Sequence, residues 1–246
     1  MASLSPLAEQ VIEVLAVAGV LTSGQLERIC RVRPRTLRKY HGLYYLDRLP
    51  LLTRELMERG LSDKPAEVRL YKLGPVGEHI ARKLIESATP TGYTGYGTRR
   101  IMHDVLANEV AVRLSEFAMS QGYEPIWRSK YAATVHDERG APALEPDAML
   151  TLKKDGEALH FFIEFHNEDH GRRAQLKVDR YEQVYRDGWW KRELLLAELP
   201  VVLAVFSHRI AGRGYQETVN RARRLGLRCT YLGRSWESIV EPGGED

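Results

Sequence analysis

The chain has 246 residues, 43% hydrophobic and 28% charged, a globular balance able to build a sizeable core and better housed in two compact domains than in one. No apolar run approaches the roughly 20 residues a bilayer demands, and MASLSPLAEQ lacks the basic-then-apolar layout of a secretory leader, so a cytoplasmic protein with no membrane partner is expected. The net charge of +3 is too small to identify a partner, and Cys30 and Cys229, far apart and outside any CxxC, exclude a disulfide framework or structural zinc site.

In SPLAEQVIEVLAVAGVLT, Leu7, Val11, Val14, Leu15 and Ala18 recur at helical spacing, and Gly19 stops the run. TSGQLERIC opens on Thr22 and Ser23 as caps and carries Leu26 and Ile29 at i, i+3, a short second helix. After a turn at Val32 to Pro34, RTLRKYHGLYYLDRLPLLTRELMERG reads as a third helical stretch, with Pro34 in its first turn and a break near Pro50. Arg28, Arg31, Arg33, Arg35, Arg38 and Lys39 cluster here without an acid, a block of positive potential suited to phosphates. A short strand at Val68, Leu70 and Tyr71 and a closing helix GPVGEHIARKL follow. Residues 1–87 thus resemble a winged helix-turn-helix, which implies double-stranded DNA as partner and Arg31, Arg33, Arg35, Arg38 and Lys39 as the contacting residues. The alternative is a small helical domain whose arginines solvate a face.

Residues 88–100, rich in glycine and small polar residues, read as a flexible linker; Tyr93 and Tyr96 in it are base-stacking, nucleophilic or packing groups. From 101 to 240 the order is helix, three strands, helix, strand, helix, strand, which predicts an α/β domain with a mixed central sheet. Asp155-Gly156 signals a hairpin that makes its two flanking strands antiparallel neighbours. Residues 241–246 form a tail.

In FFIEFH, Phe161, Ile163 and Phe165 point one way, and Phe162, Glu164 and His166 the other. Asp147 in LEPDAML stands on the neighbouring strand, in a register the sequence leaves open. Two converging carboxylates repel, and Mg²⁺ or Mn²⁺ relieves this because hard cations favour oxygen ligands. Pro146-Asp147 on one strand and Glu164 on the next resemble the PD-(D/E)xK nuclease fold, a restriction-endonuclease-like α/β architecture. That resemblance implies Asp147 and Glu164 as metal ligands and a lysine two residues after the Glu. His166 stands there instead, as a ligand, a base or a structural residue, and Lys177 on the following helix offers a migrated ammonium. Together with HDVLANEVAVRL and KVDRYEQVY, which contribute His103, Asn108, Lys177 and Tyr181, the arrangement resembles the replication-relaxation family of plasmids and mobile elements. The resemblance implies an α+β DNA-binding protein of replication, relaxation or mobilisation that nicks DNA as an endonuclease, with replication or mobilisation proteins and a second copy of the chain as further partners. The alternative is an inactive nuclease-like scaffold in a regulator, with no cofactor.

Asp104 has a sufficient reason in the helix dipole, His103 is a candidate without one, and Glu109 is an exposed helix charge or a further acid of the site. His166, Asp169 and His170 admit a transition metal without matching a zinc motif. Lys177 and Tyr181, four apart, share one helix face. Trp189-Trp190 reads as core or self-association surface, and Arg221, Arg223 and Arg224 as cations at a helix C-terminus.

Overall fold

Ser5 starts the first helix: its hydroxyl accepts from the Ala8 N–H at 3.3 Å, and Pro6 takes the first helical position, where its missing N–H costs nothing. The computed structural model describes residues 4–49, 52–85, 97–167, 171–207, 212–224 and 226–240. They fall into two units, Met1–Val112 and Arg113–Asp246. Among them no helix is long and apolar enough to cross a membrane.

The first unit runs α1 (Pro6–Ala18), β1 (Val20–Thr22), α2 (Ser23–Cys30), α3 (Pro34–Gly42), β2 (Leu46–Leu49), α4 (Thr53–Glu58), β3 (Leu70–Leu73) and α5 (Pro75–Leu84), then the first part of α6 (Thr98–Ser120). Gly19, at φ 76, ends α1 as its spacing predicts. Thr22 caps α2 through a reciprocal box, with the Gln25 N–H on Thr22 Oγ1 at 3.1 Å and the Thr22 N–H on Gln25 Oε1 at 2.8 Å. The strands form an antiparallel sheet in the order β1-β3-β2. Here the structure departs from the helical reading of 35–60. The third helix stops at Gly42, Tyr44 turns the chain at φ 57, and Leu46 and Leu49 pair with Leu73 and Leu70. The partner that makes β2 a strand lies more than twenty residues downstream, beyond any local periodicity. Gly77 is required where α5 starts, because a Cβ there would collide with the Tyr45 carbonyl.

The core of this unit contains Val20, Leu56, Val68 and Leu70, and it takes Ile101 and Val105 from α6. Asn108 Nδ2 donates to the carbonyls of Ala18 at 3.0 Å and Val20 at 2.9 Å. Residues 101–112, expected to open the second domain, therefore pack with the first. Of the expected linker, residues 88–96, with Tyr93 and Tyr96, lie outside the described residues, and Thr98 to Arg100 are helical. The expected tail also lies outside them.

The second unit continues with β4 (Glu124–Ser129), α7 (Lys130–Ala133), β5 (Val135–His136), β6 (Pro142–Leu144), β7 (Ala148–Lys154), β8 (Glu157–His166), α8 (Gly171–Asp187), α9 (Trp189–Leu194), β9 (Val201–Phe206), α10 (Arg213–Arg223), β10 (Tyr231–Ser235) and α11 (Trp236–Val240). Its sheet has the order β10-β9-β8-β7-β4, antiparallel from β4 to β8 and parallel from β8 to β10, so it is mixed. Asp155 and Gly156 both take positive φ, 52 and 85, in the tight turn between β7 and β8. The helix read over 172–191 is two, divided at Gly188 with φ 72.

Alternation along β8 separates two environments. Phe162 joins Tyr181 and Val178 of α8 and Tyr215 and Val219 of α10 in the main core. On the opposite face the Phe165 ring meets Trp236 edge-on at 5.6 Å. Trp190 is core, 3% exposed and stacked on Tyr185.

Candidate active site and basic helix

The ladder between β7 and β8 ends with Ala148 paired to Ile163; Asp147 directly precedes it and Glu164 directly follows Ile163, and the charge of Asp147 is felt at Glu164. Two bonds hold Asp147 there: its N–H donates to the Ile163 carbonyl at 3.0 Å, and its Oδ2 accepts from the Phe165 N–H at 2.8 Å. The Asp147 charge reaches both Glu164 and Lys177 of α8, so the two carboxylates and the ammonium form one cluster.

Glu164 is only 1% exposed and lies beside Ala204 on β9, a neighbour too small to shield it. Its partners come from α8, where Lys177 and Tyr181 stand one turn apart. The Lys177 ammonium donates to both carboxylate oxygens, at 2.8 and 2.7 Å, and the Tyr181 hydroxyl donates to Oε1 at 2.6 Å. Burial pushes the Glu164 carboxyl above its ordinary range; Lys177 counters this, and Asp147 adds to it. Burial alone would lower the Lys177 pKa, but Glu164 and Asp147 outweigh it and hold the ammonium charged. Burial, then Glu164, raises the Tyr181 phenol well above its usual value, so it stays a hydrogen-bond donor and is no ready nucleophile. The Lys177 side chain keeps 29% of its surface exposed, which leaves the cluster open to solvent on that side.

His166 occupies the position two residues after Glu164, but its ring is packed among others, stacked on Phe206 at 5.3 Å and tilted on Tyr215 at 5.1 Å. The ammonium beside Glu164 thus comes from α8 rather than from β8. Glu168, Asp169 and His170 lie outside the described residues. Among those described, no group of three or more His, Cys, Asp or Glu is arranged to hold a metal.

Two further candidates lie in the first unit. Glu109 is not an exposed helix charge. It is 1% exposed and bound by Gln25 Nε2 at 2.9 Å and Arg28 at 2.6 Å, which ties α6 to α2. Its sequence context, HDVLANEVAVRL, places it among Val105, Leu106, Val110 and Val112, all buried, and that apolar surround was the available signal. His103 Nδ1 sits 3.3 Å from Asp104 Oδ1.

In the same unit α3 buries Leu37 and Tyr40 and turns Arg35, Arg38 and Lys39 outward. Arg33 is its N-cap residue and Arg31, at φ 53, ends α2; both are exposed. The helix carries no acid, and its own dipole adds positive potential at the N-terminus beside Arg33 and Arg35.

Residues 12–198 match the family model described as replication-relaxation. The chain belongs to the replication-relaxation family. It is also similar to the regulatory protein RecX of Pseudomonas putida, 32% identical over a 108-residue alignment, with 41% of this chain and 76% of that protein covered. Among solved structures, restriction endonuclease FokI aligns over 95% of this chain and 42% of its own at 13% identity and a TM-score of 0.29. The DNA-bound form of FokI gives 12% identity, a TM-score of 0.30 and the same 95% of this chain against 43% of its own. The chain spans about two fifths of that endonuclease, and TM-scores of this size do not define a shared fold.

Proposed function

We propose that this replication-relaxation protein docks on duplex DNA through α3 of a winged helix-turn-helix and nicks one strand at a PD-(D/E)xK-like centre built on Asp147, Glu164 and Lys177, in the replication, relaxation or mobilisation of a plasmid or mobile element. The observation that carries the reading is the Lys177 ammonium seated on both oxygens of Glu164, with the Asp147 charge acting on both groups. It supplies, from the next helix, the cation that β8 lacks.

Asp147 and Glu164 are hard oxygen donors, and with Lys177 they sum to one net negative charge in a site where Glu164 is almost fully buried. That donor set and that charge suit Mg²⁺ or Mn²⁺, held by the two carboxylates. Such an ion supplies Lewis-acid stabilisation of the phosphate and an acidified water. The chain's own groups do the rest. Lys177 offers its third ammonium hydrogen, which otherwise faces the Glu145 carbonyl at 3.5 Å, to a phosphate oxygen, Tyr181 fixes the orientation of Glu164, and the Phe165 N–H fixes that of Asp147. For DNA docking, the support is the order α1-β1-α2-α3-β2-β3 with its three-stranded antiparallel sheet, and the outward arginines of α3. The stretch between β2 and β3, where a wing belongs, includes α4.

The test is incubation of supercoiled plasmid with the full chain and Mg²⁺ or Mn²⁺, repeated with Asp147→Ala and Glu164→Ala. Open circles from the parent protein, absent with either variant, are expected. No nicking, or nicking that survives both changes, removes the catalytic reading. One feature favours a second reading, a nuclease-like scaffold without catalysis: Glu164 Oε1 already accepts from both Tyr181 and Lys177, as a satisfied structural pair does. That reading expects no nicking together with intact duplex binding.

A further inference from the structure

An open cleft of about 390 Å³ lies between α10 and β10, within the roughly 300–1,000 Å³ range of small-molecule sites. The sequence of α10 makes one wall polar. Arg213, Gln216, Asn220 and Arg223 recur at i, i+3, i+7 and i+10 and line the cleft, above the more buried Tyr215 and Val219 that also line it. Arg234 lines it from β10. Among the described residues that line it there are three arginines and no carboxylate. Three guanidinium groups sharing one concave surface concentrate positive potential there, and their planar forks match phosphate oxygens in pairs.

Beside the polar wall the lining is aromatic. Phe206, Tyr215 and Tyr231 line the cleft, with the rings of Phe206 and Tyr215 5.5 Å apart. A Cβ on Gly212 would come to 3.0 Å from the Phe206 ring, so a larger residue where α10 begins would require that ring to shift by a few tenths of an ångström. Cations, side-chain amides and rings in one small cleft are the complement of a nucleotide: guanidinium groups for phosphate, amides for base edges, rings for an apolar base face.

We propose that this cleft binds a nucleoside phosphate, either free or as one unit of a single strand. The site is distinct from the Asp147, Glu164 and Lys177 cluster, although Tyr215 lines the cleft and also packs on His166. It does not depend on the cleavage reading, and its test is run in EDTA so that its failure and the failure of nicking are told apart.

The full chain carrying Arg35→Ala, Arg38→Ala and Lys39→Ala, which silences α3, is titrated with fluorescein-labelled oligodeoxythymidylate by anisotropy and with deoxyadenosine monophosphate by calorimetry. Arg213→Gln, Arg223→Gln and Arg234→Gln are then added together. At least about tenfold weaker oligonucleotide binding is expected, with the salt dependence flattened by about 2 in log–log slope, since each single-strand phosphate contact contributes about 0.7. Saturable heat with the mononucleotide that disappears in the triple variant assigns the cleft to a free nucleotide. An effect on the oligonucleotide alone assigns it to a strand. Asn220→Glu, which places a carboxylate on the same wall without touching an arginine, must weaken the same probe. If neither probe separates these variants from their parent, the cleft is not a nucleotide site.

Discussion

Each unit of the molecule buries a glutamate against a cation. Glu109 in the first unit and Glu164 in the second are 1% exposed, and Arg28 and Lys177, which hold them, each leave 29% of the side chain to solvent. The surroundings differ in one respect. Glu109 meets an amide and a guanidinium and so closes a packing contact between α2 and α6, whereas Glu164 also feels a second carboxylate, Asp147. A buried acid with a cation is therefore no mark of chemistry by itself. The like-charged neighbour is what turns a satisfied pair into a centre with charge to spare.

The two pairs should separate cleanly on mutation. Lys177→Met removes the ammonium from the proposed centre, and nicking is expected to fall at least about a hundredfold, the scale of a lost electrostatic stabiliser. Glu109→Gln should leave the nicking rate per folded molecule unchanged. Equal loss in both variants would erase the distinction. Removal of Arg28 tests the other side. Arg28→Ala strands the Glu109 carboxylate and is expected to cost about 3 kcal/mol in urea unfolding, the effect of breaking a buried pair. A cost below about 1 kcal/mol would show that Gln25 alone suffices.

The basic helix offers a smaller, graded effect. Neutralising Arg35, Arg38 and Lys39 together should flatten the log–log salt dependence of duplex binding by about 2.7, at about 0.9 per phosphate contact, while nicking of a nonspecific plasmid at low salt persists. An unchanged slope would move the docking surface elsewhere. The smallest expected effect is that of Thr22→Ala, which removes one half of the α2 capping box and should lower stability by about 1 kcal/mol in the same unfolding assay.

The sequence by itself determined what depends on near neighbours. Alternation in FFIEFH put Glu164 on one face, Asp155-Gly156 predicted the hairpin, and the four-residue spacing of Lys177 and Tyr181 put them on one side of α8. The order of the five sheet strands and the long helices of the second unit was legible for the same reason, since periods of 2 and 3.6 are written within a few residues, whereas α7, the β5-β6 pair and α11 are too short to show a period. Tertiary structure decided the rest. Whether Leu46–Leu49 is helix or strand depends on Leu70–Leu73, and whether Glu109 is exposed or paired depends on Gln25 and Arg28, about eighty residues away. The same holds for Ile101 and Val105, whose helical spacing is clear but whose core is supplied by Val20, Leu56, Val68 and Leu70. Local spacing fixes which face a side chain occupies. Only the packing of distant segments fixes what that face meets, and here it set Asp147 near Glu164 and Gln25 and Arg28 against Glu109.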